Sequence, residues 1–170
     1  QAESLVAPML SYAGGLSSYP SLAQGVVARL SLLRGRPQEA EAHARAAMQL
    51  FPVFPIWLSH VAPVQIHALL ALGRAGEATA VAEQVFGALP TLGGLGVAEV
   101  EFRLSASEAF HAAGEFDRAR IELHETLRQV QLRADDIMDP FWKMSYLTRN
   151  PYCARAQTLG HEWGLDIAVK

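Results

Sequence analysis

Histidine and glutamate residues are the side chains of this chain whose spacing could support metal chemistry. His60 and His67 lie seven residues apart, which places both on one face of a helix. Glu108 and His111 lie three residues apart, and Glu115 follows four residues later. Helical zinc sites use two ligands four residues apart together with a third ligand. Since neither set contains the two histidines four residues apart of the H-E-x-x-H motif, we predict packed or solvent-facing histidines and no metal site.

Three other stretches could bind a ligand or act as a nucleophile, and each lacks part of the required chemistry. The acidic cluster Asp135, Asp136 and Asp139 has neither the mid-loop glycine nor the later glutamate of a calcium loop. The glycine-rich run at 93–96 lacks the Lys-Ser/Thr pair of a phosphate-binding loop. Cys153 would need a histidine beside it to act as a nucleophile, and a buried thiol is the simpler interpretation. We therefore predict no catalytic residue, no cofactor and no enzymatic activity.

Composition and charge restrict the class of protein further. The length of 170 residues favours one domain. The net charge of −3 provides no positive electrostatic field that would attract nucleic acid. No apolar run reaches the roughly 18 residues of a membrane span. One cysteine allows no internal disulfide, and no basic region precedes the first apolar stretch, so we predict a cytoplasmic protein. Because the sequence begins with Gln1, we expect it to be part of a longer chain.

A short glycine-containing phrase occurs three times and organises the elements of the chain. The copies lie at residues 33–40, 72–78 and 113–119. In each copy a glycine can end one helix by adopting positive φ, and polar residues begin the next helix. An alanine then lets the two helix axes approach closely. The phrase predicts helical hairpins, and the scarcity of β-branched residues also favours an all-α fold.

The helical periodicity places these hairpins in one domain over residues 1–170. The predicted segments are an N-terminal helix at 3–13, hairpins at 20–52, 56–90 and 97–134, and a C-terminal cap at 139–165. Pro63 is either a first-turn proline or a kink, and Pro90 should end its helix. The stretch at 17–21 is predicted to be a turn, and helices are predicted to restart at Asp139-Pro140 and at Asn150-Pro151.

Two groups of apolar residues are assigned to packing. The first helix of the first hairpin should pack its large residues inward. These are Leu22, Val26, Val27, Leu30 and Leu33. The aromatic residues of the C-terminal stretch either cap the last hairpin or form a docking patch. They are Phe141, Trp142, Tyr146, Tyr152 and Trp163.

The three phrases lie 38 and 41 residues apart, a period typical of solenoids. A small residue lies early in the second helix of each hairpin, at Ala40, Ala78 and Ala119. The tetratricopeptide repeat has a small residue at this position, and the chain resembles that repeat from about residue 20 to 134. Pro52 and Pro90 match the proline that closes a repeat. The resemblance implies a right-handed α-α superhelix of about three hairpins with an N-terminal helix and C-terminal capping helices.

The C-terminal stretch carries a second resemblance. Residues 139–151 and 154–163 resemble the tail of large bacterial regulators, which join a serine/threonine kinase or a nucleotide-switching ATPase to helical repeats. This implies a larger bacterial signalling or regulatory protein as the parent chain.

In the tetratricopeptide family, the first helices of successive hairpins line a concave groove. The resemblance assigns five residues of this chain to contacts with a partner. They are Arg29, His60, His67, Glu108 and His111. The set is mixed in charge and does not supply the several cations of a carboxylate clamp. The alternative is that these residues are solvated positions on helix faces.

These observations lead to one functional expectation and two alternatives. We expect a non-catalytic domain for protein–protein interaction or scaffolding, which binds a protein, a peptide or other domains of its parent chain. Neither nucleic acid nor a membrane is expected as a partner. The first alternative is a small-ligand or metal sensor with a pocket between hairpins. The second is a homodimer formed through the apolar N-terminal helix.

Overall fold

The computed structural model of the chain describes residues 18–49 and 58–165, which form α-helices and no strand. The helices are α1 Ser18–Leu33, α2 Pro37–Gln49, α3 Leu58–Ala71, α4 Ala75–Leu92, α5 Glu99–Ala112, α6 Phe116–Asp135, α7 Pro140–Arg149 and α8 Pro151–Glu162, with a 3₁₀ turn at Gly96–Ala98. The predicted all-α fold of packed helices is thus confirmed. The helix at 3–13 and the match at Pro52 lie outside the described residues, and the superhelix stays a prediction.

The predicted glycine hinges have one common geometry. Gly35, Gly73 and Gly114 adopt φ of 69°, 71° and 82°, in the left-handed region that favours glycine. At the first hinge, the N–H of Gly35 donates to the Leu32 carbonyl at 3.0 Å and that of Arg36 to Ser31 at 2.9 Å. The other two hinges repeat this pair of bonds, which is the Schellman arrangement. Each hinge therefore satisfies two carbonyls that the end of a helix leaves without a partner.

A fourth hinge of this type follows α8, and the sequence analysis missed it. Gly164 adopts φ of 63°, and its N–H donates to the His161 carbonyl at 3.2 Å. The N–H of Leu165 donates to Gly160 at 2.8 Å. The signal was a Gly directly after a helical pattern, followed by an apolar residue.

An ion pair follows each of the three predicted hinges. The residue before the second helix pairs with the residue three positions later, as Arg36 does with Glu39 at 3.2 Å and Arg74 with Glu77 at 2.6 Å. The third hinge reverses the charges, because Glu115 precedes Arg118, and the oxygen–nitrogen distance is 2.7 Å. These pairs are largely exposed to solvent, so each contributes little to stability.

The described residues form two compact units, one ending at Leu95 and the other beginning at Gly96. The prediction of one domain over 1–170 stays a prediction. In the first unit, α3 packs against both α2 and α4, and α1 packs against α2 and α3. Most residues of α3 are buried, so this helix forms the centre of the unit.

The prediction for the packed face of α1 was wrong at two of its five residues, and the other three are half-buried. Ala23 and Ala28 are fully buried, whereas Val26 is 46 % and Leu33 is 79 % exposed. Gly25 lies so close to α3 that a Cβ added there would meet Val61 Cγ2 at 3.0 Å. Small residues on α1 permit this approach, and the larger side chains are left toward solvent.

Two helix boundaries differ from the predictions, and the position of Pro63 decides between two alternatives. α1 begins at Ser18, so the predicted turn at 17–21 is helical from that residue on, and Pro20 occupies the first turn. Pro63 lies in the interior of α3, which excludes the first-turn alternative. α4 continues through Pro90 to Leu92, because the proline lies in the last turn and deprives the helix of one bond only.

In the second unit, α5 and α6 form a hairpin and α8 packs against both. One buried cluster joins Val100, Val130, Ala134, Leu147 and Cys153, and a second joins Leu104, Leu123, Leu127, Ala156 and Leu159.

The predicted restarts at Asp139 and Asn150 are confirmed, since each side chain accepts hydrogen bonds from two backbone N–H groups at the start of a helix whose first residue is proline.

The aromatic residues of the C-terminal stretch divide into two groups. Tyr146, Tyr152 and Trp163 pack against the buried clusters, as a cap of the hairpin requires. Phe141 and Trp142 are 62 % and 63 % exposed. The capping prediction is therefore confirmed for the first three residues and wrong for the other two.

The hinge geometry predicts opposite effects for two glycine substitutions in the first unit. Gly73→Ala should lower the free energy of unfolding by about 1–2 kcal/mol, because a left-handed conformation is unfavourable for alanine. Gly87→Ala lies in the interior of α4 with open space around it and should raise that free energy by about 0.5–1 kcal/mol. Urea unfolding followed by circular dichroism measures both changes. Two changes of the same sign would contradict the hinge assignment.

Candidate ligand-binding groove

An apolar groove of about 320 Å³ runs between α1 and α3 in the first unit. Its α1 side consists of Leu22, Val26, Leu30 and Leu33, which follow one another at spacings of three and four residues. This spacing places them along a single stripe of the helix. The stripe is the large-residue face that was predicted to pack inward, and it lines an open surface instead.

Gly25 sets the shape of this groove. It faces Val61 across the contact between α1 and α3, where the missing Cβ allows the two backbones to approach. A narrow floor of small residues therefore separates the α1 stripe from the first turn of α3. The result is a concave strip of apolar surface along one side of α1.

Arg29 and His60, two of the five predicted contact residues, come together in this groove. The guanidinium Nη2 of Arg29 donates to the backbone carbonyl of His60 at 3.3 Å. Both residues line the groove and are partly exposed. The bond holds a positive charge at the middle of an otherwise apolar strip. A ligand that lies there meets mostly apolar surface and one cation.

His67 does not line this groove. It lies two turns beyond His60 on α3 and is half-buried. The seven-residue spacing therefore placed both histidines on one helix, but of the two only His60 lines the groove.

The remaining two predicted residues, Glu108 and His111, lie on α5 in the second unit and contact its C-terminal part. A carboxylate oxygen of Glu108 accepts from Arg155 Nε of α8 at 2.9 Å. The His111 ring stacks on Trp163 with centroids 4.4 Å apart and meets Phe116 edge-on at 5.1 Å. These contacts join residues up to 52 positions apart in the sequence. The predicted contact with a partner stays a prediction at both residues.

A buried carboxylate in the first unit was missed by the sequence analysis. Glu41 is 6 % exposed and pairs with Arg45, and Arg74 lies 4.0 Å from its other oxygen. A polar cleft of about 400 Å³ surrounds this group. Since Arg74 also pairs with Glu77, acidic groups balance both arginines, and the cleft has no excess of positive charge for an anion.

A second cavity of about 650 Å³ lies in the second unit beside the 3₁₀ turn. Arg133 donates to the backbone carbonyls of Val97, at 3.2 Å, and Gly96. Burial and a hydrogen bond with Cys153 raise the pKa of Tyr146 to about 12. Burial also raises the pKa of the Cys153 thiol, which suits the predicted structural role and opposes a thiolate nucleophile.

The described part of the chain contains no group of three or more histidine, cysteine, aspartate or glutamate residues that could hold a metal ion. Within residues 18–49 and 58–165, no helix is both long enough and apolar enough to cross a bilayer.

Comparisons with models of known protein families, with curated proteins and with solved structures find no match for this chain.

Proposed function

We propose that this chain is a non-catalytic protein-interaction module whose binding surface is the groove between α1 and α3. The observation that carries the proposal is the outward stripe of Leu22, Val26, Leu30 and Leu33. Soluble proteins rarely expose contiguous apolar surface unless a partner covers it. The helical resemblance supports the same role, and a larger bacterial signalling or regulatory protein is the setting we propose.

The shape of the groove favours an amphipathic helix as the ligand. Leu22 and Leu33 are eleven residues apart, which corresponds to about 16 Å along the axis of α1. Three turns of a helix match this length, and their side chains at i, i+4 and i+7 would lie along the stripe. Arg29 adds a preference for an acidic residue near the middle of the ligand.

A peptide-display experiment tests this proposal even though the natural partner is unidentified. A library of amphipathic helices about 14 residues long, randomised on one face, is selected against the full chain. We expect the selected peptides to carry apolar residues at helical spacing with a central glutamate or aspartate. In fluorescence anisotropy, Val26→Glu should weaken the best peptide at least about tenfold, because a carboxylate replaces apolar contact at the centre of the groove.

The matched control is Ile121→Glu, which introduces the same charge at a residue of α6 that is 64 % exposed and lies outside the groove. This variant should bind the selected peptide as tightly as the unchanged chain. Equal affinity of the peptide for Val26→Glu and the unchanged chain would refute the groove as the binding surface.

A further inference from the structure

The start of α7 carries a second exposed apolar surface, in the second unit. Met138, Phe141, Trp142 and Met144, here called the α7 patch, are between 60 % and 93 % exposed. Phe141 and Met144 are three residues apart and therefore share a helix face. The Phe141 and Trp142 rings meet edge-on with centroids 5.2 Å apart. The four exposed side chains lie within seven consecutive residues, and exposed apolar clusters of this kind mark interaction sites.

The helix that carries the α7 patch is packed against the core of the second unit. Leu147, near the end of α7, is buried in the core cluster, and Tyr146 packs against it. The Asp139 carboxylate accepts the backbone N–H groups of Phe141 at 2.8 Å and Trp142 at 3.2 Å. The helix is therefore capped and anchored, and the aromatic pair is presented on a fixed frame.

Acidic side chains border this patch. Asp135, Asp136 and Asp139 are all exposed and lie within nine residues of Met144. The cation among residues 135–144, Lys143, pairs with Asp135 at 2.8 Å. Counting residues 135–144, three carboxylates stand against one ammonium group, a net charge of −2. An apolar surface with a negative border is complementary to an apolar ligand with positive charges.

We propose that the α7 patch is a docking site for a basic amphipathic helix of a partner protein. Trp142 and Phe141 supply rigid aromatic anchors, the residue types that carry most of the binding energy at interfaces. Met138 and Met144 adapt their flexible side chains to the apolar face of the ligand. The lysines or arginines of the ligand pair with the carboxylates around the patch. This site is separate from the α1–α3 groove, whose single arginine favours an acidic ligand.

Two synthetic helical peptides of the same leucine pattern test the proposal, one with lysine and one with glutamate at every polar position. Fluorescence anisotropy measures the binding of each to the full chain. We expect the leucine–lysine peptide to bind at least about tenfold more tightly than the leucine–glutamate peptide. Its affinity should fall with added salt, because the charged border is exposed to solvent.

Single substitutions identify the surface to which the leucine–lysine peptide binds. Trp142→Ala should weaken the leucine–lysine peptide at least about tenfold, and Asp136→Asn should weaken it severalfold. The matched control is Ile121→Ala, which removes a side chain of similar exposure from α6 and should leave the affinity unchanged. Val26→Glu, which tests the groove between α1 and α3, should not weaken it either, so the two proposals can fail separately.

Three results would overturn the proposal. The first is a leucine–lysine affinity that Trp142→Ala leaves unchanged. The second is a concentration-dependent dimer in sedimentation that Trp142→Ala abolishes, since a second copy would then be the occupant. The third is co-sedimentation with phosphatidylcholine–phosphatidylserine vesicles that the same variant abolishes, since a lipid surface would then cover the patch.

Discussion

Replacing Phe102 by alanine should lower the free energy of unfolding of the second unit by about 3–5 kcal/mol. Phe102 is fully buried in α5 and is among the largest side chains enclosed by the described residues. Truncation removes the transfer energy of the ring and leaves a cavity that a helical hairpin fills only in part. Urea unfolding, followed by tryptophan fluorescence and by circular dichroism, measures the loss.

Two variants control this experiment. Phe116→Ala removes the same side chain from a position that is 57 % exposed and should cost less than about 1 kcal/mol. Phe102→Leu keeps most of the buried volume and should cost less than half as much as Phe102→Ala. If Phe102→Ala and Phe116→Ala cost the same, Phe102 is not the packing centre of α5.

The hinges could be predicted from the sequence because their cause is local. A glycine after a helical stretch and an alanine early in the next helix need no information from distant residues. Gly35, Gly73 and Gly114 therefore lie where the repeated phrase placed them. The same local logic located the caps at Asp139 and Asn150.

The packed face of α1 could not be predicted in the same way, because hydrophobic periodicity alone does not weigh side-chain size. Leu22, Val26 and Leu30 form a clear apolar stripe, and the usual inference turns such a stripe inward. Here Ala23 and Ala28 are the fully buried residues of α1, and Gly25 lies against Val61 at a distance that leaves no room for a larger side chain. The groove lies where the prediction failed, because the apolar stripe of α1 faces outward and is available to a ligand.

The environments of Glu108 and His111 depended on long-range contacts. Arg155 lies 47 residues after Glu108, and Trp163 lies 52 residues after His111. Helical periodicity assigned both residues correctly to one helix, but it contains no information on which later helix packs against that helix. The pairing of α5 with α8 arises from the buried cluster of Leu104, Ala156 and Leu159, whose members are remote in sequence.

Enlarging Ala78, the alanine that follows the second hinge, should destabilise the fold about as strongly as a core truncation of moderate size. Ala78 is fully buried in the first turns of α4, and Ala40 and Ala119 are fully buried at the equivalent positions of the other two hairpins. Ala78→Leu inserts three carbon atoms where two helix axes approach closely. We expect a loss of about 1–3 kcal/mol, because neighbouring side chains and the backbone must shift.

The control lies two residues further along the same helix. Ala80 is exposed, so Ala80→Leu should change the free energy of unfolding by less than about 0.5 kcal/mol. Amide hydrogen exchange across α3 and α4 should show faster exchange in Ala78→Leu, because over-packing loosens both helices of the hairpin. If Ala78→Leu unfolds at the same urea concentration as Ala80→Leu, the hinge alanine is not required for close packing. The repeated phrase would then owe its form to the glycine alone.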